Sequence, residues 1–224
     1  YVTAKNTPEE EGNYNIKLTK KGIDGKQLGG VQFTVNATIN GTEQSLYTTE
    51  KPLITDATNT VNIGNVVNIT KDQLNTPDVY TIKEINVGEN VRYPIGVAQD
   101  IKLNITKAMK NGEDGYSRIY YVSKIELTLD GANVTNESDT KSIAKVITED
   151  NQEISVVAEL DTTTNTITLT VENPVINGEF NLNLTKLRKN ETNPIKGVVF
   201  DIKISDKNGN SLKNDQNEAI SGKY

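Results

Sequence analysis

Three residues that could react with one another stand at inward-facing positions of predicted strands. In "YNIKLTK" apolar residues occupy every second position, and the series ends on Lys20. The same alternation places Glu84 on the apolar face of "VYTIKEI" and Asn173 on that of "TITLTVEN". Because successive side chains of a strand point to opposite faces, we expect all three polar groups to project into the core.

A buried lysine, glutamate and asparagine form a reactive set. Burial lowers the pKa of a lysine and raises that of a glutamate, which favours a neutral amine beside a protonated carboxyl. The amine of Lys20 can then attack the side-chain carbonyl of Asn173, while Glu84 polarises that carbonyl and carries protons. Ammonia leaves, and the predicted product is an amide that joins two strands of one domain.

Each residue also has a simpler explanation. Lys20 could be a strand-end charge in solvent, and Glu84 could be one polar member of the alternation. Asn173 precedes a proline, where an extended backbone is favoured in any case. The combination favours the reactive interpretation, because buried polar groups without partners are costly.

The elements that must position these residues are strands. Short alternating runs rich in Val, Ile and Thr, bounded by Gly, Asn and Asp, predict an all-β sandwich. The clearest runs are 15–20, 31–39, 79–85, 101–107, 123–129, 154–160, 166–173, 180–186 and 198–205. Hairpins are predicted at four Asp-Gly or Asn-Gly pairs, at 24–25, 40–41, 130–131 and 208–209. Residues 70–76 could form one helical turn, and 139–147 is ambiguous.

The chain contains an internal repeat. "AKNTPEEEGNYNIKLTK" can be laid over "VENPVINGEFNLNLTK" with a gap of one or two residues. The lysines Lys20 and Lys186 are 186 − 20 = 166 residues apart, and the asparagines Asn6 and Asn173 are 173 − 6 = 167 apart. Self-similarity at a fixed spacing predicts a tandem array.

The repeat also divides the chain. The interval between Glu84 and Asn173 is long, so we expect extra strands inserted around 95–150. Within it "IKLNITK" imitates the lysine strand and ends on Lys107, which leaves open a division into two smaller domains near residue 97. The predicted units are the tail of a preceding repeat (1–10), a complete β-sandwich (11–176) and the opening of the next repeat (177–224).

The composition excludes several classes of function. The net charge is −6, with 24 basic and 30 acidic residues spread along the chain, which argues against nucleic acid and anionic membranes as partners. No apolar run reaches the roughly 20 residues of a membrane span. The chain has no cysteine and no histidine, which excludes disulfides, thiol nucleophiles, serine–histidine triads and ordinary zinc sites. We therefore expect no cofactor, no metal and no enzyme that acts on an external substrate.

Several of these motifs match a known family. The run "LTKKGIDGKQLGGVQFTV" resembles the opening of the collagen-adhesin B-type (CnaB, or SpaA-like) domains of Gram-positive surface proteins and pilins. "LTKLRKNETNPIKGVVFDI" resembles it again. "VYTIKEI" is similar to the family's Tyr-x-x-x-Glu strand, and "LTVENP" to its terminal strand.

The resemblance implies tandem immunoglobulin-like sandwiches and an intramolecular isopeptide bond in each. In this sequence it implies a bond between Lys20 and Asn173 promoted by Glu84. By the same resemblance Asn6 would bond to a lysine of the preceding unit. Lys186 would bond to an asparagine beyond the end of this sequence.

The predicted function is that of a structural repeat in an extended cell-surface stalk, pilus or appendage shaft, located outside the cell or on its wall. Its partners would be neighbouring repeats or subunits of the same fibre. The low aromatic content, 5%, argues against a ligand-binding tip. Two alternatives stay open: a sortase-polymerised pilin subunit linked through Lys5, and an adhesin module that binds host matrix protein or glycan through residues 95–150.

Overall fold

The regular structure of the chain is almost entirely β. The structure, a computed structural model, describes residues 9–10, 12–176, 184–205, 211, 219 and 221–223. It divides the chain into two compact units, Tyr1–Asn177 and Gly178–Tyr224. Over the described ranges the helical structure consists of one 3-10 turn, Lys71–Gln73, and no helix is long and apolar enough to cross a membrane. The predicted all-β class is confirmed.

In the first unit the strands agree with the predicted runs, and additional strands lie between them. The predicted helical turn within 70–76 is confirmed, and the ambiguous segment 139–147 contains a strand. In chain order the strands are β1 (Glu9–Glu10), β2 (Gly12–Gly22), β3 (Gln32–Ile39), β4 (Thr42–Tyr47), β5 (Leu53–Ile54), β6 (Thr60–Asn62), β7 (Val67–Ile69), β8 (Asp78–Asn86), β9 (Ile101–Asn111), β10 (Arg118–Thr128), β11 (Asn133–Ser138), β12 (Lys141–Ile147), β13 (Glu153–Asp161), β14 (Thr166–Asn173), β15 (Asp201–Lys203) and β16 (Ser221–Lys223).

The first unit is a sandwich of two sheets, each with seven strands among the described residues. One sheet has the order β1-β10-β9-β8-β3-β4, with β5 also paired to β3. The other has the order β11-β12-β13-β14-β2-β6, with β7 also paired to β2. In this arrangement β2 and β14 are parallel neighbours, while β8 lies in the opposite sheet.

The alternation seen in the sequence determines what each strand buries. Along β2 the side chains of Tyr14, Ile16 and Leu18 are buried, and intermediate or exposed residues stand between them. Along β8 Tyr80 and Ile82 are buried in the same way. The two inner faces form the apolar core, as expected for sheets that pack face to face.

Among the predicted hairpins that the structure describes, two form and one is wrong. The Asn40–Gly41 pair does close the β3–β4 hairpin, with positive φ at both residues, as a two-residue turn of this kind requires. At 24–25 the chain also reverses, and Lys21 pairs with Gln27 in an isolated antiparallel bridge before the chain continues into the other sheet as β3. At 130–131, however, the flanking strands β10 and β11 belong to different sheets and do not pair. An Asp-Gly pair favours a turn but does not determine which strand comes to lie beside which. The pair at 208–209 lies outside the described residues.

The second unit contains the antiparallel pair β15 and β16. None of the side chains described in residues 184–205 is buried. Of the strand predicted at 180–186, residues 180–183 lie outside the described part and 184–186 are irregular. The strand predicted at 198–205 is shortened to β15.

Candidate functional site

Lys20, Glu84 and Asn173 lie in direct contact inside the sandwich. The exposed fraction is 0% for Lys20, 2% for Glu84 and 0% for Asn173, so the prediction that all three are buried is confirmed. The Lys20 Nζ lies 2.6 Å from Asn173 Oδ1 and 3.1 Å from Glu84 Oε2. The Asn173 Nδ2 donates to Glu84 Oε1 over 2.7 Å. The carboxylate therefore contacts the nitrogen atoms of both other residues.

The two sheets each contribute to this cluster. Lys20 comes from β2 and Asn173 from β14, where the parallel register sets Lys20 opposite Val171 and Asn173 opposite Gly22. Glu84 reaches them from β8 in the facing sheet. Each residue extends the buried series of its own strand, so the alternation that forms the core also directs these polar groups into it.

The backbone of Lys20 is fixed by Asn59. The Lys20 N–H donates to the backbone carbonyl of Asn59 over 2.8 Å, and the Asn59 side-chain Nδ2 donates to the carbonyl of Lys20 over 2.8 Å. Asn59 has a φ of 62°, in the left-handed region that asparagine tolerates better than most residues. This pair of bonds holds the strand that carries the amine.

The segment Tyr93–Gly96 orients the side-chain amide of Asn173. Its Nδ2 donates to the backbone carbonyl of Tyr93 over 3.2 Å, and its Oδ1 accepts from the backbone N–H of Gly96 over 3.2 Å. A backbone acceptor at one end and a backbone donor at the other distinguish the oxygen of the amide from its nitrogen. The carbonyl carbon is thereby presented to Lys20 with its oxygen already hydrogen-bonded.

Burial changes the protonation of the pair. Removal from water lowers the pKa of Lys20 to about 8, against the opposing effect of the nearby Glu84 carboxylate. It also raises the pKa of Glu84, although Lys20 and Asn173 act in the other direction. Glu84 Oε2 makes no hydrogen bond of good geometry despite its closeness to Nζ. That oxygen is placed to receive a proton from the amine.

The arrangement can form an amide. Glu84 Oε2 can take a proton from Lys20 Nζ, and the neutral amine can then attack Cγ of Asn173. The charge that develops on Oδ1 faces the Gly96 N–H, which acts like an oxyanion-hole donor. Glu84, whose Oε1 contacts Nδ2, can give the proton taken from Nζ to the leaving nitrogen, and its carboxylate can take up the second proton that Nζ loses, so ammonia leaves and the carboxyl ends protonated. The two oxygens of one carboxylate thus address the attacking and the leaving nitrogen separately.

Sequence reasoning missed Tyr93 and Gly96. Both contribute backbone groups to Asn173, and a backbone N–H or C=O has no signature in residue type. The letters "YPIG" indicate a turn and no more. A methyl group at Gly96 would overlap Ile154 Cδ1 and Pro174 Cδ, which explains the need for glycine at this close approach.

The remaining predicted residues lie elsewhere. Lys186 is described and exposed, and its backbone carbonyl accepts a hydrogen bond from Ile195 over 2.8 Å. Lys5 and Asn6 lie outside the described residues.

Comparison with known proteins gives loose structural overlaps. No family of known proteins and no curated protein sequence matches the chain. A crystal structure of an iodide-soaked C-terminal fragment of the pilus adhesin SpaC from Lactobacillus rhamnosus GG is 17% identical over 72% of this chain and 52% of its own, with a TM-score of 0.28. A second crystal structure of such a fragment is 11% identical over 76% of this chain and 100% of its own, with a TM-score of 0.25. A crystal structure of the pilus adhesin SpaC from the same organism is 12% identical over 73% of this chain and 31% of its own, with a TM-score of 0.24. This chain spans about half the length of the first of these fragments.

Proposed function

We propose that residues 12–176 are a structural module of an extended cell-surface stalk, pilus or appendage shaft, stabilised by an amide that the module forms between Lys20 and Asn173. The observation that supports this proposal is the buried contact of amine, carboxyl and carboxamide, with one carboxylate oxygen directed at each nitrogen. The reaction consumes its own residues in one turnover, so the module is not an enzyme with an external substrate.

The position of the bond suits a chain under tension. The amide would connect two parallel neighbouring strands, β2 and β14, and would bypass the 173 − 20 = 153 positions between its ends. Tension along the chain would pass from β2 through the amide and out beyond β14. The strands that lie between β2 and β14 along the chain would carry little of it.

The bond would also stabilise the fold. Cross-linking a loop of 153 residues restricts the unfolded chain, and the chain-entropy relation gives about 5 kcal/mol for a closure of this length. The chain has no cysteine, so this amide would take the role that a disulfide has in other extracellular domains. Unlike a disulfide, an amide is not opened by thiols.

The internal repeat of the sequence supports a tandem array. In this proposal residues 1–10 end a preceding unit and 177–224 begin a following one. Asn6 and Lys186 would then form the equivalent bonds with residues of those units. The module would act outside the cell, and its partners would be neighbouring repeats or subunits of the same fibre.

The test of the Lys20–Asn173 bond is a tryptic map of the whole chain. Trypsin does not cut after an acylated lysine, so the linked chain should give a branched peptide that joins residues 18–21 to 146–186. Its mass should be one ammonia below the sum of the unlinked segments. Glu84→Gln retains both reacting residues but removes the proton carrier, and it should abolish the branched peptide.

The matched control is Lys21→Met. Lys21 neighbours Lys20 on the same strand, is partly exposed and pairs with Glu172 over 3.2 Å, outside the cluster. This variant should keep the branched peptide that joins Lys20 to Asn173, whereas Lys20→Met should lose it. Normal cleavage after Lys20 in the wild-type chain would contradict the proposal.

The two alternative functions remain predictions. A pilin subunit polymerised through Lys5 would form covalent ladders with a sortase, and Lys5→Arg would remove them. A binding module would retain matrix protein or glycan on a solid phase, and deleting the turn 112–117 between β9 and β10 would weaken retention.

A further inference from the structure

One strand carries two buried carboxylates to different places in the core. On β8 Asp78 and Glu84 are six residues apart, lie on the same face and are both buried. At about 3.3 Å per residue they are separated by roughly 20 Å along the strand. On β2 the side chains of Tyr14 and Lys20 have the same spacing and meet these carboxylates in the same order. The Glu84 position belongs to the site described above, whereas the Asp78 position has no part in it.

Asp78 is the centre of a second cluster with the same three chemical groups. The Lys107 Nζ lies 2.8 Å from Asp78 Oδ1 and 2.7 Å from the side-chain Oδ1 of Asn40. The side chains of Lys107 and Asp78 are both 0% exposed, and Asn40 is half-buried. The hydroxyl of Tyr14 donates to the second oxygen of Asp78 over 2.7 Å.

The fold brings these residues together from three adjacent strands. Lys107 is the fourth member of the buried series of β9, after three apolar residues at alternate positions, and it ends the motif "IKLNITK". Asn40 is the first residue of the turn between β3 and β4 and has a φ of 53°. Its backbone N–H donates to Asp78 Oδ1 over 2.7 Å, so the carboxylate positions the asparagine as well as the lysine.

The two clusters agree in the position of the amine, but Glu84 contacts the side-chain nitrogen of Asn173, whereas Asp78 contacts the backbone N–H of Asn40. The distance from amine nitrogen to amide oxygen is 2.6 Å at Lys20 and 2.7 Å at Lys107. The distance from amine nitrogen to carboxylate oxygen is 3.1 Å and 2.8 Å respectively. A buried ion pair requires only the lysine and the aspartate, but here the amine also touches the carbonyl oxygen of a carboxamide.

We propose that Lys107 and Asn40 form a second intramolecular amide, with Asp78 as the proton carrier. Asp78 Oδ1 takes a proton from Lys107 Nζ, and the amine attacks Cγ of Asn40. The new bond joins Nζ to Cγ, and the bond from Cγ to Nδ2 breaks. Asp78 gives its proton to Nδ2, which leaves as ammonia, and takes up the second proton that Nζ loses, so the carboxyl ends protonated. No oxidant, reductant or further reactant is required. The chemistry is that of the proposed function, but none of the three residues is shared with it.

This second bond would lie inside the loop closed by the first. It would link β9 to the end of β3 across β8 and close a loop of 107 − 40 = 67 positions. The sandwich would then contain two covalent cross-links, one beside Glu84 and one beside Asp78. The proposal also gives a role to Lys107, whose motif imitates the lysine strand without the other features of the repeat.

The experiment is an intact-mass measurement and a tryptic map of the full chain and its variants. The wild-type chain should be two ammonia below its calculated mass, and Lys20→Met should be one below. Lys107→Met should also be one below, and the double variant should have its full mass. The matched control Lys110→Met replaces an exposed lysine of the same strand and should leave both losses in place.

A further variant removes the carboxamide but keeps the buried ion pair of Lys107 and Asp78, so a missing bond cannot be attributed to loss of that pair. Asn40→Gly removes the carboxamide, keeps Lys107 beside Asp78 and suits the positive φ of the turn. It should be one ammonia below its calculated mass. In the wild type the tryptic map should contain a branched peptide that joins residues 103–110 to 27–71. In Asn40→Gly this peptide should be absent.

The map separates the possible outcomes. A cyclic imide at Asn40–Gly41 would also lose ammonia, but it leaves the lysine free, so cleavage after Lys107 would overturn the proposal. A wild-type deficit of one ammonia assigned to Lys20 and Asn173 would overturn it as well and leave the proposed function intact. A deficit of one assigned to Lys107 and Asn40 would support it and contradict the first bond.

Discussion

Replacing Lys20 with methionine should turn a module that resists extension into one that unravels. Methionine removes the amine while keeping an unbranched side chain of similar volume. The Glu84 carboxyl left beside it can stay neutral, since burial already raises its pKa. The folded sandwich should persist, but without the covalent link between β2 and β14.

The expected change in length follows from the spacing of the linked residues. The amide would prevent the 153 positions between Lys20 and Asn173 from being stretched under force, and these correspond to about 500 to 550 Å of fully extended chain. If the second bond is present, 67 of these positions stay closed in Lys20→Met, and 153 − 67 = 86 positions extend by about 300 Å. Replacing Lys107 as well should restore the full length.

The assay is single-molecule pulling by handles at the two chain ends. Residues 178–224 contribute the same extension to every variant, so the comparison isolates the sandwich. Wild type should show no step attributable to the segment between Lys20 and Asn173. A wild-type step of about 500 Å would refute the reasoning, because a continuous covalent path cannot lengthen in this way. Lys21→Met is the control and should behave as wild type.

Two further predictions concern the same site. In Asn173→Ala no amide can form, and Lys20 remains a buried lysine whose folded pKa, about 8, lies below the 10.5 of the unfolded chain. Between these values the unfolded state binds more protons, so the free energy of unfolding should rise with pH across this window by on the order of 3 kcal/mol. Urea unfolding at several pH values measures this rise. Adding Lys20→Met to the same variant should remove it. Gly96→Ala should crowd its neighbours, cost about 1 to 3 kcal/mol and displace the N–H from Asn173. A fraction of the purified Gly96→Ala chains should then lack the Lys20–Asn173 amide and be one ammonia heavier than the linked chains. If the intact mass shows that every chain is linked, the Gly96 N–H is dispensable for the reaction.

Alternation along single strands was enough to predict that the three polar residues of the first site are buried. Successive side chains of an extended chain point to opposite faces, and this alternation does not depend on which strands pair with it. Lys20, Glu84 and Asn173 could for this reason be named from β2, β8 and β14 separately. The Asn40–Gly41 hairpin was predictable for a similar reason, because the turn depends on two adjacent residues.

The second cluster was not predictable from the sequence. Lys107 stood out only as an imitation of the lysine motif, Asp78 stands at the start of a strand, and Asn40 is typical of a turn. They meet because β8 lies between β9 and β3 in one sheet, an order that no local pattern contains.

The sequence by itself determined the β class, the inward faces and the three reactive residue types of the first site. The tertiary structure decided which strands became neighbours. It placed two Asp-Gly turns at crossings between sheets, brought the backbone of Tyr93 and Gly96 to Asn173, and joined Lys107 to Asp78. The physical reason is that side-chain direction is fixed within a strand, whereas contact between distant strands depends on how the whole core is packed.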